Sequence, residues 1–113
     1  MNTRIERIRQ IFDDMNKLRL DDYSYYAFKR NISSILEEIN GLIAEEQDEQ
    51  KKIHYQHAYS ALAHTDNKEV EFIKYHQDLM RKKNAAKVRR TEYFDAVEKA
   101  YDQIYRDLIL ILK

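Results

Sequence analysis

The 113-residue chain has no cysteine, no proline and no tryptophan, and its only glycine is Gly41. Without cysteine there is no disulfide, no thiol nucleophile and no thiolate metal site. Without proline almost nothing interrupts a helix, and a single glycine leaves almost nothing to supply the positive φ of tight hairpins. The glycine-rich phosphate loop and the dinucleotide fingerprint are excluded on the same ground. No window approaches the roughly eighteen apolar residues of a membrane-spanning helix, and the stretch MNTRIERIRQ lacks the apolar centre of a signal peptide. A cytoplasmic protein without a membrane role is expected. Net charge is missing too, since 20 basic and 20 acidic residues cancel, which removes generic attraction to nucleic acid or anionic lipid.

What is present forms helices, and the fold class expected is all-α, one helical domain over residues 1–113. Ile5, Ile8, Phe12 and Met15 recur at the three-and-four spacing of one helix face, with Asn2 or Thr3 as N-cap. Asp21 or Asp22 can cap a second helix, which sets Tyr25, Phe28, Ile32, Ile35, Ile39 and Leu42 on a heptad stripe. Apolar residues vanish through AEEQDEQKK without any breaker, so the helix is expected to continue to His64 as a solvated stretch. HTDNK supplies the turn signal, with Thr65, Asp66 and Asn67 stopping one helix and capping the next. The last helix carries Val70, Ile73 and Met80, then a basic run, then Phe94, Val97, Tyr101, Ile104, Leu108 and Ile111 on a second heptad stripe.

Two long helices joined at residues 66 and 67 predict a long antiparallel hairpin in which partner numbers sum to about 133. Ile39 then meets Phe94 and Ile53 meets Met80. The short N-terminal helix completes a three-helix bundle at one end (residues 1–43 with 93–113), leaving residues 44–92 as a two-helix arm, and a helix continuous from Tyr23 to His64 makes the hairpin about 60 Å long at 1.5 Å per residue. The alternative is a compact four-helix bundle, with breaks at Gly41 and Asn84.

The stretch RKKNAAKVRR puts six positive charges in ten positions. The hairpin register sets Glu45, Glu46, Asp48 and Glu49 opposite it, so pairing within the chain is the first expectation. The excess of positive charge keeps a second one open: a nucleic-acid contact through Arg81, Lys82, Lys83, Lys87, Arg89 and Arg90. Nine tyrosines are the other oddity. In a narrow bundle a tyrosine buries its ring and keeps its hydroxyl wet. On the arm, Tyr55, Tyr59, Phe72, Tyr75, Leu79 and Met80 are instead the expected protein interface, because two helices alone cover little of them.

Enzymatic motifs are absent: no G-x-S-x-G elbow, no H-E-x-x-H and no di-iron E-x-x-H pair. His54, His57, His64 and His76 could approach one another in the hairpin, but no carboxylate completes a metal set, and no metal or cofactor is expected. Small secreted helical hairpins of the WXG100 family share this length, but their tryptophan–glycine turn is missing, the corresponding stretch reading AHTDN, and no family is assigned. The function expected is a non-enzymatic interaction module, a small regulator, inhibitor or adaptor whose partner is itself or another protein, with nucleic-acid binding as the alternative.

Overall fold

The computed structural model describes residues 2–82 and 87–113, those at 87–89 by their backbone alone. Among them the chain is all-α, four rods packed compactly with no strand. The rods are α1 (Thr3–Leu18), α2 (Ser24–Glu45), a composite of α3 (Glu49–Thr65), a π-helical turn (Asp66–Val70) and α4 (Glu71–Arg81), and α5 (Lys87–Leu112). Backbone dihedrals stay helical from Thr65 through Glu71, so the composite is a single rod. Neighbours run antiparallel: α1 packs on α2, α2 on the composite rod, the rod on α5, and α5 back on α1.

The heptad stripes build the core. Tyr25, Phe28, Ile32, Ile35, Ile39 and Leu42 of α2 are all buried, as are Ile8, Phe12 and Met15 of α1 and Val97, Ile104, Leu108 and Ile111 of α5. Burying a side chain such as Phe28 or Ile104 stabilises the fold by about 1.5–3 kcal/mol. The α5 stripe is wider than its heptad pattern, because this helix faces both the rod and α1. Tyr93, Ala96 and Ala100 are buried as well, while Phe94 and Tyr101 are half-buried. Asn2 caps α1, its side chain accepting from the Arg4 amide at 2.9 Å. Ser24 fastens α2 to the end of α1: its hydroxyl lies within 2.9 Å of the carbonyl oxygens of Leu18, Arg19 and Asp21.

Two expected features are corrected. The helix does not continue through AEEQDEQKK. It stops at Glu46, whose φ/ψ of −79°/130° is extended, and restarts at Asp48, whose carboxylate accepts from the amides of Gln50 and Lys51. Acidic residues are unfavourable at a helix C-terminus and favourable at an N-terminus, so Asp48 and Glu49 serve better opening a helix than prolonging one. Conversely HTDNK makes no turn. The Thr65 hydroxyl reaches Ala61 O and the Asp107 carboxylate, and Asp66 is held by Lys29 at 3.1 Å, so side chains that could cap are engaged by packed neighbours. Ile53 and Met80, expected to face each other, therefore lie on one rod. Gly41 does not break α2 either; Asn84 lies outside the described residues.

The acidic block loses its expected partner in the same way. Glu45 pairs with Arg4 at 2.9 Å, joined by Glu38 at 3.2 Å, and Glu46 accepts from the Asp48 amide. The hydrogen bond that Arg4 donates to Glu45 holds its guanidinium above its ordinary pKa. At the same end of the molecule Arg9 donates to the carbonyl of Leu112, bringing the start of α1 against the end of α5.

Candidate functional site

The composite rod presents two faces along α4. Inward, Ile73, His76 and Gln77 are buried. Outward, Phe72 is 50% exposed and Tyr75 57% exposed, and their rings lie 5.9 Å apart at an interplanar angle of 14°. Half-buried Leu79 follows at the next helical step of that face. His76 stands edge-on to both rings, 4.4 Å from Phe72 and 5.3 Å from Tyr75, and so backs the pair from within. Its Nδ1 is buried with no hydrogen bond among the described residues, the nearest carboxylate being Glu92 at 4.0 Å.

The six residues expected to form the protein interface therefore divide. Phe72 and Tyr75 are presented to solvent with Leu79 beside them, whereas Tyr55, Tyr59 and Met80 are half-buried against the core. Tyr23 and Tyr26, at the start of α2, are exposed as well.

Beside α4 the starts of α2 and α5 leave a cleft of about 270 Å³, lined by Asp22, Tyr23, Gln77, Met80, Arg81, Arg90 and Tyr93. Tyr93 is fully buried and donates its hydroxyl to the Asp21 carbonyl at 2.8 Å. Gln77, 3% exposed, is satisfied when its amide nitrogen donates to the Asp22 carbonyl at 3.0 Å and its oxygen accepts from Arg81 at 3.1 Å. The Arg81 guanidinium stands 5.8 Å from the centre of the Tyr23 ring. Of the expected nucleic-acid residues, Arg81 and Arg90 line this one cleft and Lys82 is exposed. Lys83 lies outside the described residues, as do the side chains of Lys87 and Arg89. Among the described residues no carboxylate pairs with Arg81, Lys82 or Arg90.

A third polar group surrounds the π turn. Lys29 reaches Asp66 at 3.1 Å and Glu71 at 3.2 Å, Lys99 reaches Glu69 at 3.7 Å, and Gln103 and Thr65 both donate to Asp107. Burial pulls the Lys29 ammonium down, but the bonds to Asp66 and Glu71 outweigh it and the net shift is upward. One oxygen of Asp66 is buried without a hydrogen-bond partner among the described residues. These residues were missed in the sequence; the available signal was that Lys29, Thr65 and Glu69 fall on or beside otherwise apolar helix faces. His54, His57 and His64 are exposed, and no group of three or more His, Asp or Glu among the described residues could hold a metal ion. No helix of the described residues is long and apolar enough to cross a membrane.

Comparison with protein-family models, curated proteins and solved structures finds no match to this chain.

Proposed function

We propose that this single helical domain is a non-enzymatic protein-interaction module, a small regulator, inhibitor or adaptor, and that its first partner is a second copy of itself. The observation that carries this reading is the solvent-facing Phe72–Tyr75 stack. Aromatic rings held rigid by a buried neighbour lose little freedom on docking, and such residues dominate the energetics of protein interfaces. Lys68, Glu71, Lys74 and Asp78, all exposed, alternate in sign along the same rod. With zero net charge on the chain, two copies meet without overall repulsion. Light scattering at micromolar concentration tests it: a dimer, or a monomer–dimer mixture, is expected, and Phe72→Glu with Tyr75→Glu should return it to monomer. A monomer at every concentration up to about 1 mM, an affinity limit near 4 kcal/mol, would remove the self-association.

The second reading, a nucleic-acid contact through the basic run, is favoured by one observation. One of the four acids expected to neutralise that run, Glu45, is taken by Arg4. Binding of single-stranded DNA that weakens steeply with salt and is lost in Arg81→Glu with Arg90→Glu would establish it; affinity without salt dependence would not.

A further inference from the structure

We infer that the cleft between α2, α4 and α5 is a binding site for a nucleoside monophosphate. Two cationic side chains, Arg81 and Arg90, line it, and neither has a carboxylate partner among the described residues. Guanidinium forks suit phosphate oxygens, and a pair of them outweighs the single carboxylate of Asp22.

The rest of the lining sets what the phosphate must be attached to. Tyr23 is 65% exposed and Arg81 lies over its ring at 5.8 Å, so an aromatic platform stands beside the cationic pair. A nucleobase stacks on such a platform whatever its identity. Asp22 has its carbonyl occupied by Gln77 but has no ion pair for its carboxylate among the described residues, and a carboxylate accepts from sugar hydroxyls. The buried Gln77 amide fixes both sides of the mouth at once, bonding the Asp22 backbone on one side and Arg81 on the other. At about 270 Å³ the cleft is slightly below the ~300 Å³ at which pockets begin to enclose a drug-sized ligand. It can hold the phosphate and sugar with the base lying across its rim on Tyr23. The same chemistry is offered by a free mononucleotide and by a terminal nucleotide of a single strand.

The inference is independent of the Phe72–Tyr75 surface, and the variants below leave that face intact. Titrations followed by calorimetry and by amide shifts compare adenosine monophosphate with adenosine, with inorganic phosphate and with an eight-nucleotide DNA strand. Adenosine monophosphate is expected to bind about tenfold more tightly than either of its parts. Arg90→Gln and Arg81→Gln should each weaken it about tenfold, the effect of losing a charged hydrogen bond. Tyr23→Ala should weaken the mononucleotide but not inorganic phosphate. A strand that binds no tighter than the mononucleotide points to the free nucleotide as ligand, and one that binds much tighter points to the strand end. Three results would overturn the site: no binding of adenosine monophosphate up to about 10 mM, inorganic phosphate binding equally tightly, or an affinity indifferent to Arg90→Gln in a variant whose circular dichroism is unchanged.

Discussion

Gly41 shows how one missing methyl group can be structural without any turn being involved. It lies within α2, and a Cβ there would collide with the guanidinium of Arg4, which crosses the helix to reach Glu38 and Glu45. Replacing glycine by alanine in a helix normally gains about 1 kcal/mol. Gly41→Ala should therefore gain clearly less than that in the native chain and close to all of it once Arg4→Ala has emptied the space, a comparison that chemical denaturation of the four variants can make. Tyrosine hydroxyls give a second test. Burial raises the phenol pKa of Tyr93, Tyr25 and Tyr101 above the ordinary 10.0, Tyr25 being raised further by Glu71. The fold thus prefers the neutral phenol, so its contribution is complete below pH 10 and is lost as pH rises through the folded values. Ultraviolet titration should show these three ionising above the ordinary phenol value, together with falling stability above pH 10. Tyr93→Phe should cost about 1 kcal/mol at neutral pH, the worth of its bond to the Asp21 carbonyl.

At the scale of the element, α1, α2 and α5 were legible because each repeats apolar residues on one face, a pattern that survives without knowing what covers it. The joints were not. Thr, Asp and Asn at positions 65–67 are the residues of a cap, but Thr65 and Asp66 bond to Asp107 and Lys29, from helices remote in sequence. The true break, at residues 46–48, contains neither glycine nor proline and is marked only by acids whose preference for a helix start decides between two otherwise helical options. Asp48→Ala should consequently destabilise the protein by about 1 kcal/mol. Lys29→Met should cost more, about 1–2 kcal/mol, since it strands the half-buried Asp66 carboxylate at the π turn, where one oxygen already has no partner among the described residues. The candidate surface was readable in part for the same reason as the joints. Phe72 and Tyr75 stand out of the rod as its local pattern says, whereas Tyr55, Tyr59 and Met80 are covered by helices whose position followed from the misplaced turn.

On the scale of the whole molecule, one apolar cluster draws residues from every rod, Ile8 and Phe12, Ile32 and Ile39, Leu62 and Ile73, Val97 and Ile104. No rod can leave without opening that cluster, so tyrosine fluorescence and circular dichroism should report a single coincident unfolding transition. Ile53→Cys with Met80→Cys, about 40 Å apart along one rod, should not form a disulfide within the chain, although a hairpin turned at residue 66 would bring them together.

The contact of Arg9 with the carbonyl of Leu112 bears on a different property, the order in which the helices are strung. It places the beginning of α1 beside the end of α5, so a short polar linker could join residue 113 to residue 2 without crossing the bundle. The chain could then be opened before Asp48, leaving that residue to cap the composite rod as the first helix of a permuted protein. Exposed connections of this kind are where permutation is best tolerated. The permuted chain should melt as one unit and keep the Phe72–Tyr75 face, with its new ends at the far end of the rod from α4; failure to fold would mean that α1 and α2 must be joined to α3 in their native sequence for the core to assemble.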